Sequence, residues 1–145
     1  MALQGPILLI ENDSNDADVI ATAIREIGIP NEVKILDNAQ EALDYLYSTT
    51  DQPYLILCDI RMPGMDGLAF RKSIIGDPYL KKKSIPFIYY SALASQEIIN
   101  SAFDLDVQGF FKKTEEFGRI KEQLLSIFMY WKQCFHPNKK VEGKK

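Results

Sequence analysis

Five short apolar runs alternate along the chain with segments whose apolar residues recur every three to four positions, and this alternation predicts five βα units. PILLIE (6–11) and YLILCD (54–59) are continuous apolar runs that end on an acid, the pattern of central strands covered on both faces. PFIYYS (86–91) and VQGFFKK (107–113) predict a fourth and a fifth strand. EVKIL (32–36) alternates polar and apolar residues and predicts a strand nearer an edge. Between the strands, Ala17, Ile20, Ala21, Ile24 and Ile27 share one helical face, with Gly28 as the stop. Asn38 caps a second helix whose stripe is Ala39, Ala42, Leu43 and Leu46. GLAFRKSII (67–75) predicts a third, closed by Gly76, Asp77 and Pro78, and SQEIINSAFDL (95–105) a fourth with Ser95 at its N-cap. A long fifth helix runs from Phe117 to about Phe135, with Ile120, Leu124, Ile127, Phe128 and Trp131 facing inward.

This order is that of one α/β domain, a three-layer sandwich in which right-handed crossovers place helices on both faces of a five-stranded parallel sheet. A chain of 145 residues holds one such domain with a full core. The domain is expected over residues 1–135, and the polar, basic segment HPNKKVEGKK (136–145) as a frayed tail. With 46% hydrophobic and 26% charged residues the composition is that of an ordinary globular protein. The net charge of −3 gives no electrostatic reason to expect a nucleic-acid partner. No apolar run approaches the roughly 20 residues of a membrane span. Cys58 and Cys134 form no CxxC pair, which predicts neither a metal centre nor a disulfide scaffold and fits a cytoplasmic setting.

Functional groups in such sheets gather at the carboxyl ends of the strands. The first strand ends in Glu11-Asn12-Asp13, the third in Asp59, the fourth in Ser91 and the fifth in Lys112-Lys113. Each taken singly has a plainer use: Asp59 as a turn acid, Ser91 as a cap, Asp13 and the acids after it as the opening of a helix. Together they place carboxylates, an amide, a hydroxyl and an ammonium on one rim. Crowded carboxylates suit a hard, oxygen-seeking cation such as Mg²⁺. A metal beside a carboxylate, a hydroxyl and a lysine can serve phosphoryl transfer by offsetting charge on the phosphoryl oxygens.

The run DIRMPGMDG (59–67), with matching groups on three other strands, resembles the receiver domain of two-component response regulators over residues 5 to 133. That resemblance implies the flavodoxin-like strand order 2-1-3-4-5. It implies that Asp59 accepts a phosphoryl group from a sensor histidine kinase or phosphotransfer protein. Glu11, Asn12, Asp59 and the backbone carbonyl of Arg61 become the Mg²⁺ ligands, and Ser91 and Phe110 the switch pair. The family's usual spacing from Ser91 selects Lys113 as the active-site lysine, although strand alternation alone leaves Lys112 open. The resemblance also implies an output or dimer surface on the fourth helix, fifth strand and fifth helix. Met129, Tyr130 and Phe135 widen the apolar stripe there, so an unidentified downstream protein or a second copy is expected on the last helix.

Two positions depart from the family pattern. Asn12 stands where the main metal-binding aspartate is expected, so metal affinity should fall. Thr114 replaces the proline that follows the lysine, which predicts a trans bond at 113–114. The expected function is a stand-alone phosphoacceptor switch, not an enzyme that turns over a metabolite. One rival is a pseudo-receiver, a protein-binding module whose phosphorylation Asn12 has weakened. A second, an aspartyl-phosphate hydrolase, would want an aspartate where Arg61 stands. His136, the sole histidine, is assigned no phosphotransfer role.

Overall fold

The computed structural model describes residues 5–138. Five parallel strands, β1 (Ile7–Ile10), β2 (Val33–Leu36), β3 (Leu55–Cys58), β4 (Phe87–Ser91) and β5 (Gly109–Lys112), form one sheet in the order β2-β1-β3-β4-β5. The register pairs Ile10 with both Leu36 and Cys58, Cys58 with Tyr89, and Ser91 with Lys112, so the carboxyl ends share one rim, with β4 and β5 running two residues beyond the others. The helices are α1 (Ser14–Glu26), α2 (Ala39–Ser48), α3 (Gly67–Ile75), α4 (Pro78–Lys82), α5 (Gln96–Phe103) and α6 (Phe117–Gln133). This is the flavodoxin-like order and layering expected from the sequence.

Side chains alternate across a strand, and the two faces of the sheet sort accordingly. Leu8, Ile10, Ile56, Cys58, Phe87 and Tyr89 pack with α2, α3, α4 and α5. Their neighbours Ile7, Leu9, Leu55, Leu57, Ile88 and Tyr90 pack with α1 and α6. The inward stripe of α6 is the expected set Ile120, Leu124, Ile127, Phe128 and Trp131. Each such burial contributes about 1.5–3 kcal/mol. Leu125, Met129, Tyr130 and Phe135 lie exposed on or beyond this helix.

Two features differ from expectation. The Asp77-Pro78 pair that closes α3 also opens α4: the Asp77 carboxylate accepts from the N–H groups of Tyr79 and Leu80, and Pro78 takes the first helical position. Leu80 then fills the core between α3 and the sheet. The frayed tail expected from residue 136 does not begin there, because His136 is only 3% exposed. Its ring stacks on Tyr54 at 4.5 Å and meets Trp131 edge-on at 5.1 Å. Nε2 lies 2.6 Å from the Tyr54 carbonyl oxygen, and Nδ1 accepts from the Asn138 N–H at 3.0 Å. An imidazole that accepts at Nδ1 must carry its proton on Nε2, so the packed form is neutral. The remainder of the expected tail, 139–145, lies outside the described residues.

Candidate functional site

Alternation also decides which strand-end groups meet. Glu11 continues the face of Ile7 and Leu9, Asp59 that of Leu55 and Leu57, and Lys113 that of Phe111, all toward the α1/α6 layer. The Lys113 Nζ lies 2.6 Å from Glu11 Oε1 and 3.2 Å from Asp59 Oδ2. Its backbone N–H donates to the Ser91 carbonyl, which fixes the chain just beyond β5. Lys112 points the other way and is exposed.

Glu11 is 2% exposed and Asp59 9%. Burial pushes the Glu11 carboxyl up to about 7, the hydrogen bond from Lys113 draws it down, and the nearby Asp59 charge raises it again. Burial by itself would lower the Lys113 ammonium. The hydrogen bonds to Glu11 and Asp16 outweigh that and hold it above the ordinary lysine range, so the lysine is charged. Asp59 Oδ1 accepts from the Ile60 N–H at 2.7 Å, which leaves Oδ2 as the oxygen turned to Lys113.

An open cleft of about 500 Å³ collects Glu11, Asp59, Arg61, Ser91 and Lys113, with Asn12 and Asp16 at its walls. Ser91 is fully buried on the opposite strand face, and its Oγ accepts from the Leu93 N–H at 3.1 Å. Phe110 packs with the α2–α5 layer, its ring 5.7 Å from that of Tyr89. The Tyr89 hydroxyl in turn donates to the Gly67 carbonyl at 2.7 Å, tying β4 to the loop after Asp59. The bond between Lys113 and Thr114 is trans, like every peptide bond among the described residues.

Asn12 stands at the cleft as a neutral amide. It lies in the bend beyond β1 at the wall of the cleft, is exposed, and donates to the Asp37 carbonyl at 3.4 Å. Asp13 does not take its place: it caps α1, accepting from the Asp16 N–H at 3.0 Å while its own N–H donates to Glu11 Oε2. The residue that the sequence reading missed is Asp16. Its Oδ2 lies 2.9 Å from Lys113 Nζ, although the two are 97 positions apart. As a first-turn acid it had a sufficient local explanation in the helix dipole, and only the shared parity of positions 11, 59 and 113 pointed toward α1.

Glu11 and Asp59 already converge on one cation, the lysine ammonium, and every side-chain donor there is oxygen. Mg²⁺ commonly takes one or two carboxylates and completes its shell with water and substrate. The donor set therefore fits that ion through Glu11 and Asp59, with the neutral Asn12 amide at the wall of the same cleft.

A carboxylate–lysine cleft at the carboxyl rim of a doubly wound parallel sheet is consistent with a phosphoacceptor role. The response regulator receiver domain model matches residues 7–125, and the chain belongs to that family. It is 30% identical over 129 residues to chemotaxis protein CheY-3 of Vibrio cholerae, covering 84% of this chain and 90% of that one. It is 24% identical over 130 residues to response regulator Rcp1 of Synechocystis sp., covering 86% and 87%. Among solved structures it is similar to the phosphorylated cyanobacterial phytochrome response regulator RcpA, with a TM-score of 0.80, 27% identity and 90% and 96% coverage. The Mn(2+)-bound form of Rcp1 shares the fold, with a TM-score of 0.75 at 21% identity over 97% and 99% of the chains. No helix among the described residues is long and apolar enough to cross a membrane.

Proposed function

We propose that this receiver is a working phosphoacceptor switch, with Asp59 as the nucleophile and a histidine kinase or histidine phosphotransfer protein as the donor. The observation that carries this is the convergence of Lys113 on Asp59 and Glu11 in an open cleft. Asp59 Oδ2 forms the new bond to phosphorus, the bond from phosphorus to the donor imidazole nitrogen breaks, and the electron pair leaves with that nitrogen. Glu11, Asp59 and the Arg61 carbonyl, with Asn12 at the cleft wall, would hold Mg²⁺, which would supply charge neutralisation for the phosphoryl oxygens. Lys113 supplies a second positive charge from the α1 side, and the Ser91 hydroxyl donates a hydrogen bond from the α5 side. Each chain accepts one phosphoryl group; no metabolite is turned over.

The output lies on the face of α5, β5 and α6. Drawing Ser91 toward the phosphoryl group frees the space beside it for Phe110, and the Tyr89–Gly67 hydrogen bond couples that move to the loop behind Asp59. A downstream protein or a second copy on α6 reads the change. The test is intact-mass analysis after incubation with acetyl phosphate, with and without Mg²⁺, on the protein and its Asp59→Ala variant. Gain of one phosphoryl group that needs Mg²⁺ and Asp59 is the expected result. No gain at any Mg²⁺ concentration would establish a pseudo-receiver, and recovery in Asn12→Asp would locate the defect.

A further inference from the structure

Position 12 carries a neutral amide at the cleft wall, and three carboxylates surround Lys113: Glu11 at 2.6 Å, Asp16 at 2.9 Å and Asp59 at 3.2 Å. Of these only Asp16 comes from a helix rather than a strand end. It sits in the first turn of α1, held there by the Asp13 cap on its backbone N–H.

We infer that Asp16 is the positioning residue for Lys113, holding its ammonium from α1. The inference rests on the phosphoacceptor reading above for its consequence, and on the Lys113 contacts for its geometry. Phosphorylation makes Asp59 Oδ2 the bridging oxygen of an acyl phosphate, so the negative charge that the lysine meets there moves outward onto the phosphoryl oxygens. A bound divalent cation competes for Glu11. A lysine held only by those two groups would have to re-aim as both partners change. Asp16 neither accepts the phosphoryl group nor lies on a strand end beside it, so its hold on Nζ persists through the reaction. Its side chain is 47% exposed, so the pair adds little to fold stability. What it fixes is the direction of a long, flexible side chain, and misplacing a catalytic group by about 1 Å can cost on the order of 100-fold in rate.

The test uses the full chain and two readouts. The first is the lysine-ammonium NMR signal of Lys113, assigned by its loss in Lys113→Arg, which is visible only while hydrogen bonding and burial slow its exchange with water. It is expected in the wild type and in Asp16→Glu and is broadened away in Asp16→Asn. Asp18→Asn removes the same charge from the same helix without touching Lys113 and is expected to leave the signal intact. The second is phosphorylation by acetyl phosphate across a Mg²⁺ series. Asp16→Asn should lower the rate at saturating Mg²⁺ by about 10-fold or more and leave the Mg²⁺ midpoint in place. A persistent Lys113 signal in Asp16→Asn, or its equal loss in Asp18→Asn, overturns the inference. So does a shift of the Mg²⁺ midpoint at unchanged maximal rate, which would make Asp16 a metal ligand instead. If the wild type accepts no phosphoryl group, the phosphoacceptor reading fails while the NMR comparison still decides the role of Asp16.

Discussion

Gly67 opens α3 immediately behind Asp59, and an added methyl group there meets only backbone. A Cβ would lie 2.3 Å from the Asp59 carbonyl oxygen and 2.8 Å from the Ile60 Cα, where ordinary contact begins at 3.4 Å. Neither neighbour can swing aside. The Gly67 N–H donates to the Ile60 carbonyl at 2.8 Å, and the Tyr89 hydroxyl holds the Gly67 carbonyl at 2.7 Å. Relief therefore requires the loop itself to move by about 1 Å, an overpacking that costs about 1–3 kcal/mol or more. Alanine's better helix propensity returns at most about 1 kcal/mol. We expect Gly67→Ala to lose roughly 2 kcal/mol.

Gly64 is the control. Its φ is +76°, and an added Cβ would find nothing within 4 Å, so Gly64→Ala meets only left-handed backbone strain of about 1 kcal/mol. Urea unfolding followed by Trp131 fluorescence, compared at constant m, separates the two. The displaced loop carries Asp59, so Gly67→Ala should also slow phosphorylation while Gly64→Ala does not. If Gly67→Ala proves no less stable than Gly64→Ala, steric clearance is not what Gly67 provides.

Other predictions test separate parts of the molecule. Burial lowers the His136 pKa from its ordinary 6.5, more than its contacts with Tyr54 and Asn138 raise it. Its contribution to stability is therefore complete above pH 6.5 and lost as pH falls through the folded value. Glu11, raised to about 7, acts in the opposite sense: the folded state gains stability as pH falls below 7. The measurement is consequently a difference, the urea stability of the wild type minus that of His136→Phe, which should shrink between pH 7.5 and 5.5; a flat difference would refute the neutral-imidazole assignment. Arg71 is buried, its Nε and Nη2 donating to the carbonyls of Leu105 and Asp106 at 3.0 and 2.9 Å. Arg71→Met should cost about 2–3 kcal/mol in chemical denaturation, and Arg71→Lys should recover little of it because an ammonium lacks the planar fork. Asn12→Asp should tighten Mg²⁺ by a factor on the order of 10, read from the Mg²⁺ midpoint of acetyl phosphate labelling.

Periodicity in the sequence was sufficient for the strands, for the helices other than α4, and for the inward stripe of α6, whereas the strand order was implied only by the family resemblance. Those patterns report hydrogen-bond geometry and burial that act within a few residues, so they are written locally. The same holds for the run from Asp59 to Gly67, whose residues are neighbours in the chain and stay neighbours in the fold. The signals that misled were local ones with two uses. Asp77-Pro78 is both a helix stop and a helix start, and a polar, Pro-flanked His136 looks like tail until Tyr54 and Trp131 are found on either side of it. What only the tertiary structure decided is the direction of side chains at the rim, since a strand places alternate residues in opposite layers. Just beyond β1, Glu11 meets Lys113 while its neighbour Asn12 donates to the Asp37 carbonyl. The pairing of Lys113 with Asp16 depends on how α1 lies against β5, a relation between distant segments fixed by packing of the whole α1/α6 layer.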